Sequence, residues 1–165
     1  MTRLDRIDCD ILAALQADGR MTNVALARQV GLSPTPCLER VKMLESAGLI
    51  GGYSARLSPA ALGLGLTVFV EVGIERTAQD VFDAFRCAVL DAPEIQACHM
   101  VAGGYDYLLK VRVPDMEAYR HFVGQVLSGM PGIREMHTYP VMEEVKDLPA
   151  IALNHLLQET RKEHE

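Results

Sequence analysis

Two rhythms of apolar and polar positions divide the chain. Over the first fifty residues apolar side chains return every three or four positions. Leu4, Ile7, Ile11 and Leu15 trace one face of a predicted helix that ends at Gly19. Asp5, Asp8 and Asp10 lie in its opening turns, where the helix dipole favours carboxylates. Thr22 caps a predicted second helix, with Val24, Ala27 and Val30 as its inward stripe and Gly31 as its stop. Ser33-Pro34-Thr35-Pro36 opens a third. Serine is a good N-cap, and first-turn prolines remove only N–H groups that have no helical partner. Cys37, Val41 and Leu44 form the third inward stripe and Gly48 closes it. Three short helices, the last two joined by a tight Gly-Leu-Ser turn, predict a helix-turn-helix arrangement. Gly51–Leu57 reads as a turn and a strand, hence a winged variant; Ser58-Pro59-Ala60 and Gly63 mark a connector.

The second half changes period. Val68, Val70, Val72 and Ile74 alternate with Phe69, Glu71 and Gly73, the pattern of a strand with one buried face. Thr77 with Asp80 suggests a capping box before a helix carrying Val81, Phe82, Phe85, Ala88 and Val89. Pro93 and Ile95 lead into a strand through Val101. Beyond Gly103-Gly104 the sequence repeats itself: Tyr107, Leu109, Val111 and Val113 alternate, Pro114-Asp115 opens a helix with Met116, Tyr119, Val123, Val126 and Leu127, and Ile133 starts a strand through Val141. Pro93, Ile95 and His99 recur as Pro131, Ile133 and His137 at an offset of 38. Two strand-helix-strand units predict a βαββαβ ferredoxin-like sandwich with both helices on one sheet face. Phe69 and Leu108 would then lie on the uncovered face, which suggests burial by another copy of the chain. The expected class is α+β: residues 1–57 a winged helix-turn-helix, 58–65 a linker, 66–147 the ferredoxin-like domain, and 148–165 a tail in which Ile151, Leu153, Leu156 and Leu157 suggest a final helix.

Composition adds bounds. Of 165 residues 49% are apolar and 5% aromatic, with no Trp, so the core rests on Leu, Val, Ile and Met. The start lacks the apolar stretch of a secretory signal, and no apolar run reaches the roughly 18 residues of a membrane helix. Cys9, Cys37, Cys87 and Cys98 show no metal-site spacing, so neither zinc nor a disulfide framework is expected, and a reducing cytoplasm is the expected home. Cys98 and His99, adjacent on a strand, point to opposite faces and do not converge on one ion. No nucleophile–base set or nucleotide-binding glycine loop is visible, so no catalytic residue is assigned.

Net charge is −6, a poor match to a polyanion, but it is unevenly spread. Residues 20–56 hold five basic and two acidic groups, whereas 57–165 hold nine and sixteen. A recognition helix beginning at Ser33 would present Ser33, Pro36, Arg40 and Met43 outward, with Thr35, Glu39 and Lys42 beside them. Arg40 is the candidate for a bidentate contact to guanine. Arg28, Lys42 and Arg56 suit phosphates, and Thr22 and Asn23 begin the preceding helix, whose free N–H groups also suit a phosphate. A solvated helix in an interaction module explains the same spacing.

The stretches Leu-Asp-Arg-Ile-Asp (4–8), Asp-Gly-Arg (18–20), Val-Gly-Leu-Ser-Pro-Thr-Pro-Cys-Leu-Glu-Arg-Val (30–41), Phe-Val-Glu (69–71), Asp-Tyr-Leu-Leu-Lys (106–110), Arg-Val-Pro-Asp-Met (112–116) and Val-Met-Glu-Glu-Val-Lys (141–146) resemble the Lrp/AsnC (feast/famine) transcription regulators. The resemblance runs to about residue 146. It implies a DNA-binding domain, an amino-acid-binding domain, dimers formed through the sheet, and assembly to octamers or related rings, with the effector held between dimers. It places the effector's backbone groups on Gly103, Gly104, Tyr105 and Asp106, and its side chain among Val101, Met116, Thr138, Tyr139 and Val141. Met100 and Met116 suit an apolar amino acid, leucine or one like it, because thioethers fill irregular space. Gly104 and Pro140 stand where a close family member has an acidic residue and Val, which leaves the effector's identity open. The implied protein is a nucleoid-associated cytoplasmic regulator of promoter DNA; the alternative is an architectural chromatin protein that bends DNA with little ligand control.

Overall fold

The computed structural model describes residues 4–75 and 79–153. The chain up to Arg56 and the segment starting at Asp147 form one compact unit, and Leu57–Lys146 form another. Residues 147–153 therefore belong with the N-terminal helices and not with the second domain that precedes them.

In the first unit, α1 spans Arg6–Ala17, α2 Asn23–Gln29 and α3 Pro34–Ser46. A reciprocal capping box opens α1: the Asp8 N–H donates to Asp5 Oδ1 at 2.8 Å, and the Asp5 N–H donates to Asp8 Oδ2 at 3.0 Å. The Thr22 hydroxyl accepts from the Ala25 N–H at 3.2 Å and caps α2. Ser33 occupies the N-cap position of α3 in extended backbone, but its hydroxyl makes no cap bond. Gly31 and Gly48 take left-handed φ of 72° and 70°. There the chain turns so that the N–H of Leu32 reaches the Ala27 carbonyl at 2.8 Å and that of Leu49 reaches Leu44 at 3.0 Å. An L side chain at either position would cost about 1–2 kcal/mol.

Ile11, Ala14, Leu26, Ala27, Cys37 and Leu44 fill the small core, with Val30, Leu32, Val41 and Met43 packed against it. Two sequence expectations change. Val24 is 66% exposed rather than inward. It lies roughly 110° around α2 from the centre of Leu26, Ala27 and Val30, which do face the core. The strand expected over Gly51–Leu57 is not formed. Among the described residues this unit offers no other strand to complete a ladder, and an isolated strand has no stability of its own. Tyr53 instead anchors the segment, its hydroxyl donating to Glu45 Oε1 at 3.0 Å while its ring lies beside Gly19.

The expected tail helix also differs. Residues 148–153 are extended or irregular, and the remaining positions of that helix, Leu156 and Leu157 included, lie outside the described residues. Gln16 takes the place of a strand partner: its Nε2 donates to the Ile151 carbonyl and its Oε1 accepts from the Ile151 N–H, both at 2.8 Å. Main-chain groups held this way are not available for a helical i−4 bond.

In the second unit a short 3-10 turn, Ala60–Leu62, leads into β1 (Leu66–Ile74), α4 (Gln79–Leu90), β2 (Ile95–Met100), β3 (Tyr107–Val113), α5 (Met116–Gln125) and β4 (Ile133–Pro140). The sheet is antiparallel in the order β2-β3-β1-β4. Thr77, the expected cap of α4, lies outside the described residues. Asp115 caps α5, accepting from the Ala118 N–H at 2.8 Å.

Val68, Val70, Val72 and Ile74 of β1 and Tyr107, Leu109, Val111 and Val113 of β3 face Phe85, Tyr119, Phe122 and Leu127 in one core. Each fully buried aliphatic side chain of this kind contributes about 1.5–3 kcal/mol. The register Phe69↔Lys110 and Glu71↔Leu108, continued by Tyr139 and His137 of β4, places those residues on the face turned away from that core. Gly132 sets the entry to β4: its φ is 76°, and a Cβ there would stand 2.0 Å from Val81 Cγ1. Cys98 shares the core face with Leu109 while His99 pairs with Leu108 on the other, so the two diverge as their adjacency requires.

Candidate DNA and effector sites

The helix-turn-helix is held together by polar bonds that use several of the residues expected to touch DNA. Arg40 Nη1 donates to Asp5 Oδ2 and to Asp8 Oδ1, both at 2.7 Å. The two carboxylates that cap α1 thus also grip α3. Burial pushes the Asp5 carboxyl upward, but the Asp8 backbone N–H and the Arg40 guanidinium outweigh it and hold the group below its ordinary 3.8. Asp8 is only 3% exposed, and the same arrangement raises the Arg40 guanidinium further. Arg40 is therefore not the outward base reader expected from the sequence. At about 100° per residue it lies roughly 70° from the centre of the Cys37–Val41–Leu44 stripe, on its flank and not opposite it.

Pro36 and Met43 are half-buried as well, and Met43 packs against the core. The exposed stripe of α3 is Thr35, Leu38, Glu39 and Lys42, with Ser33 exposed at its start. Sequence reasoning passed over Leu38, which is 42% exposed, because an apolar residue on a helix is read by default as core. Asn23 acts as a structural tie, its Nδ2 donating to the Pro34 carbonyl at 2.7 Å and so joining the start of α2 to the start of α3. The Thr22 hydroxyl is likewise spent on its cap. Arg28 is exposed on α2, and Arg56, also exposed, donates from Nη2 to the Asp147 carbonyl at 3.1 Å.

In the second unit the loop between β2 and β3 is tightly pinned at its ends. The Val101 N–H donates to the Asp106 carbonyl at 3.0 Å, the Asp106 N–H to the Val72 carbonyl at 3.0 Å, and Asp106 Oδ2 accepts from the Ile74 N–H at 2.9 Å. The Asp106 carboxylate thus bridges the loop to the end of β1. Between those anchors Gly103 and Gly104 are exposed, and a Cβ on either would meet nothing within 4 Å. Neither has a left-handed φ, so the fold of the single chain does not itself demand glycine there. Tyr105 is half-buried and Met100 is 65% exposed.

The other expected effector residues are not gathered at this loop. Thr138 pairs with Val70 on the helix-covered face, its hydroxyl 2.8 Å from the Tyr119 hydroxyl. Tyr139 pairs with Phe69 on the opposite face, its hydroxyl donating to Glu71 Oε2 at 3.0 Å. Neighbours on a strand diverge, so these two do not line one cavity within a chain. Val141, whose N–H donates to the Thr67 carbonyl, and Met116 at the start of α5 lie beyond the other end of the strands. That end is about 20 Å from the glycine loop along β3. One chain therefore presents two partial surfaces and not the single pocket that the expected residues describe.

Three helices built as a helix-turn-helix, joined to a separate antiparallel domain with an open glycine loop, define a DNA-binding regulator with a ligand domain. Residues 4–50 match winged helix-turn-helix DNA-binding domains, and residues 67–151 match the Lrp/AsnC ligand binding domain. The chain is 57% identical over 143 residues to the leucine-responsive regulatory protein of Salmonella typhimurium, covering 87% of each chain, and equally so to that of Escherichia coli K12. It superimposes with a TM-score of 0.89 on a Neisseria meningitidis transcriptional regulator solved as an L-Met complex, at 42% identity, covering 93% of this chain and 99% of that one. An AsnC family regulator from Agrobacterium tumefaciens gives 0.88 at 33% identity, covering 92% and 99%. This chain belongs to the Lrp/AsnC family of DNA-binding transcriptional regulators with an amino-acid-binding domain. It is a regulator and not an enzyme. Among the described residues no helix is long and apolar enough to cross a membrane.

Proposed function

We propose that this regulator binds promoter DNA through its helix-turn-helix unit and changes DNA affinity or assembly when an apolar amino acid, leucine or methionine, occupies the second unit. The supporting observation is the glycine loop. Asp106 pins its base to β1, while Gly103 and Gly104 leave main-chain groups exposed with room above them, a suitable receptor for an amino acid's carboxylate. The flexible thioethers of Met100 and Met116 suit an aliphatic or thioether side chain.

The separation of the glycine loop from Met116 and Val141 supports a site shared between copies. One copy supplies the loop and a neighbour supplies the other surface. Assembly starts from a dimer that covers the open sheet face bearing Phe69 and Leu108, and dimers then build a larger ring. The site of action is the nucleoid in the cytoplasm. The effector acts only through unequal affinity for two assembly or DNA-bound states, and a coupling of about 1–3 kcal/mol gives the several-fold response that regulation needs.

Titration calorimetry of the full chain with each of the twenty amino acids tests this reading. Heat is expected from leucine or methionine and not from the charged amino acids. Asp106→Asn keeps an oxygen for the Ile74 N–H while removing the charge, and it is expected to weaken effector binding and leave DNA binding in place. No heat from any amino acid would return the protein to the architectural alternative.

A further inference from the structure

The clamp on Arg40 removes the guanidinium from the expected base-reading face and raises the question of what remains there to read sequence. The first two turns of α3, the part of a recognition helix that reaches base edges, expose Pro34, Thr35, Leu38 and Glu39, and Lys42 follows a turn later; Pro34 brings no hydrogen-bond donor to a base. Glu39 only accepts hydrogen bonds and is repelled by phosphates. Lys42 lies farther from the helix start, where a cation suits the backbone. Leu38 is the large apolar side chain on this stripe. Its counterpart Leu44 is fully buried, whereas Leu38 is 42% exposed and makes no part of the core. Thr35 is one turn before it and offers a second methyl group to the same surface.

We propose that Leu38, supported by Thr35, reads thymine 5-methyl groups in the major groove, so that base preference rests on apolar contact with A·T pairs and not on a guanidinium bound to guanine. The proposal deepens the DNA-binding reading above and rests on it. The chemistry follows from the groove itself: thymine alone presents a methyl group there, and aliphatic side chains discriminate by covering it. Arg40 becomes a positioning residue that fixes the angle of α3 through Asp5 and Asp8.

The test begins by selecting duplexes from a random pool with the full-length protein. Affinity is then measured for a selected duplex and for the same duplex with uracil replacing thymine, a change that deletes only methyl groups. The wild-type protein is expected to bind the uracil duplex about three- to fourfold more weakly for each contacted methyl. Leu38→Ala is expected to keep the wild-type melting temperature, because the side chain is outside the core, and to lose most of that discrimination. Equal wild-type affinity for the two duplexes would overturn the proposal with no variant needed. So would a Leu38→Ala protein that keeps the full uracil penalty. If no duplex is enriched at all, the DNA-binding reading falls with it; if duplexes are enriched but uracil costs nothing, only the role of Leu38 falls.

Discussion

The two units are stabilised in different ways. In the sheet domain the decisive contacts are apolar and periodic: four alternating residues of β1 lie beside four of β3 on one sheet face, under the aromatic and aliphatic side chains of α4, α5 and the turn after it. In the helix-turn-helix unit the core is small, and the arrangement is fixed by named polar bonds: Asp5 and Asp8 to Arg40, Asn23 to the Pro34 carbonyl, Tyr53 to Glu45, and Gln16 to Ile151. A unit of this kind spends polar side chains on its own assembly. Its surface chemistry is therefore poorer in cations than its composition suggests, and the residues left over define what it can read.

Disrupting the apolar domain gives the largest expected effect. Gly132→Ala combines a left-handed φ with a Cβ driven into Val81, and should destabilise the sheet domain by roughly 2–4 kcal/mol in urea denaturation followed by circular dichroism. Arg40→Ala strikes the polar unit. It leaves the buried Asp8 carboxylate without its guanidinium and should cost about 2–3 kcal/mol, below a fully buried pair because Arg40 retains solvent contact. DNA affinity should then fall for every sequence alike; a change confined to guanine-containing sites would restore Arg40 to direct readout. Thr22→Ala removes one cap bond and should lower stability by about 1 kcal/mol, again measured in denaturant.

The smallest effect is one of pH. The Asp5 carboxyl is held below its ordinary 3.8 in the folded protein, so its contribution is present above that value and is lost as pH falls through the lower folded value. The melting-temperature advantage of wild type over Arg40→Ala should therefore shrink as pH falls below 3.8. An advantage that stays constant to about pH 2 would show that the Asp5 carboxylate does not sustain the clamp.

Periodicity made most of the fold legible. Strand alternation located β1 and β3, the repeat around His99 and His137 located β2 and β4, and glycines marked the ends of α2 and α3. What it missed has one physical origin: a polar side chain's partner lies on another element, and nothing local announces it. Arg40 looked free because Asp5 and Asp8 sit on another helix, far away along the chain. Gln16 gave no hint that it holds Ile151. The expected effector residues form a set only through family resemblance, and alternation along β4 alone already separates Thr138 from Tyr139. The helical angle of Arg40 follows from Cys37, Val41 and Leu44, and it places the residue on the flank of the buried stripe and not opposite it.

The family assigns DNA binding to one unit and amino-acid binding to the other, and the proposed function couples the two through an apolar amino acid. Fluorescence anisotropy of a selected duplex, titrated with the full-length protein in the absence and presence of leucine or methionine, measures this coupling. A several-fold shift in Kd is expected with at least one of the two, matching a coupling of about 1–3 kcal/mol, and no shift with aspartate or lysine. An identical binding curve with all four amino acids, accompanied by no change in the mass of the complex, would refute that coupling.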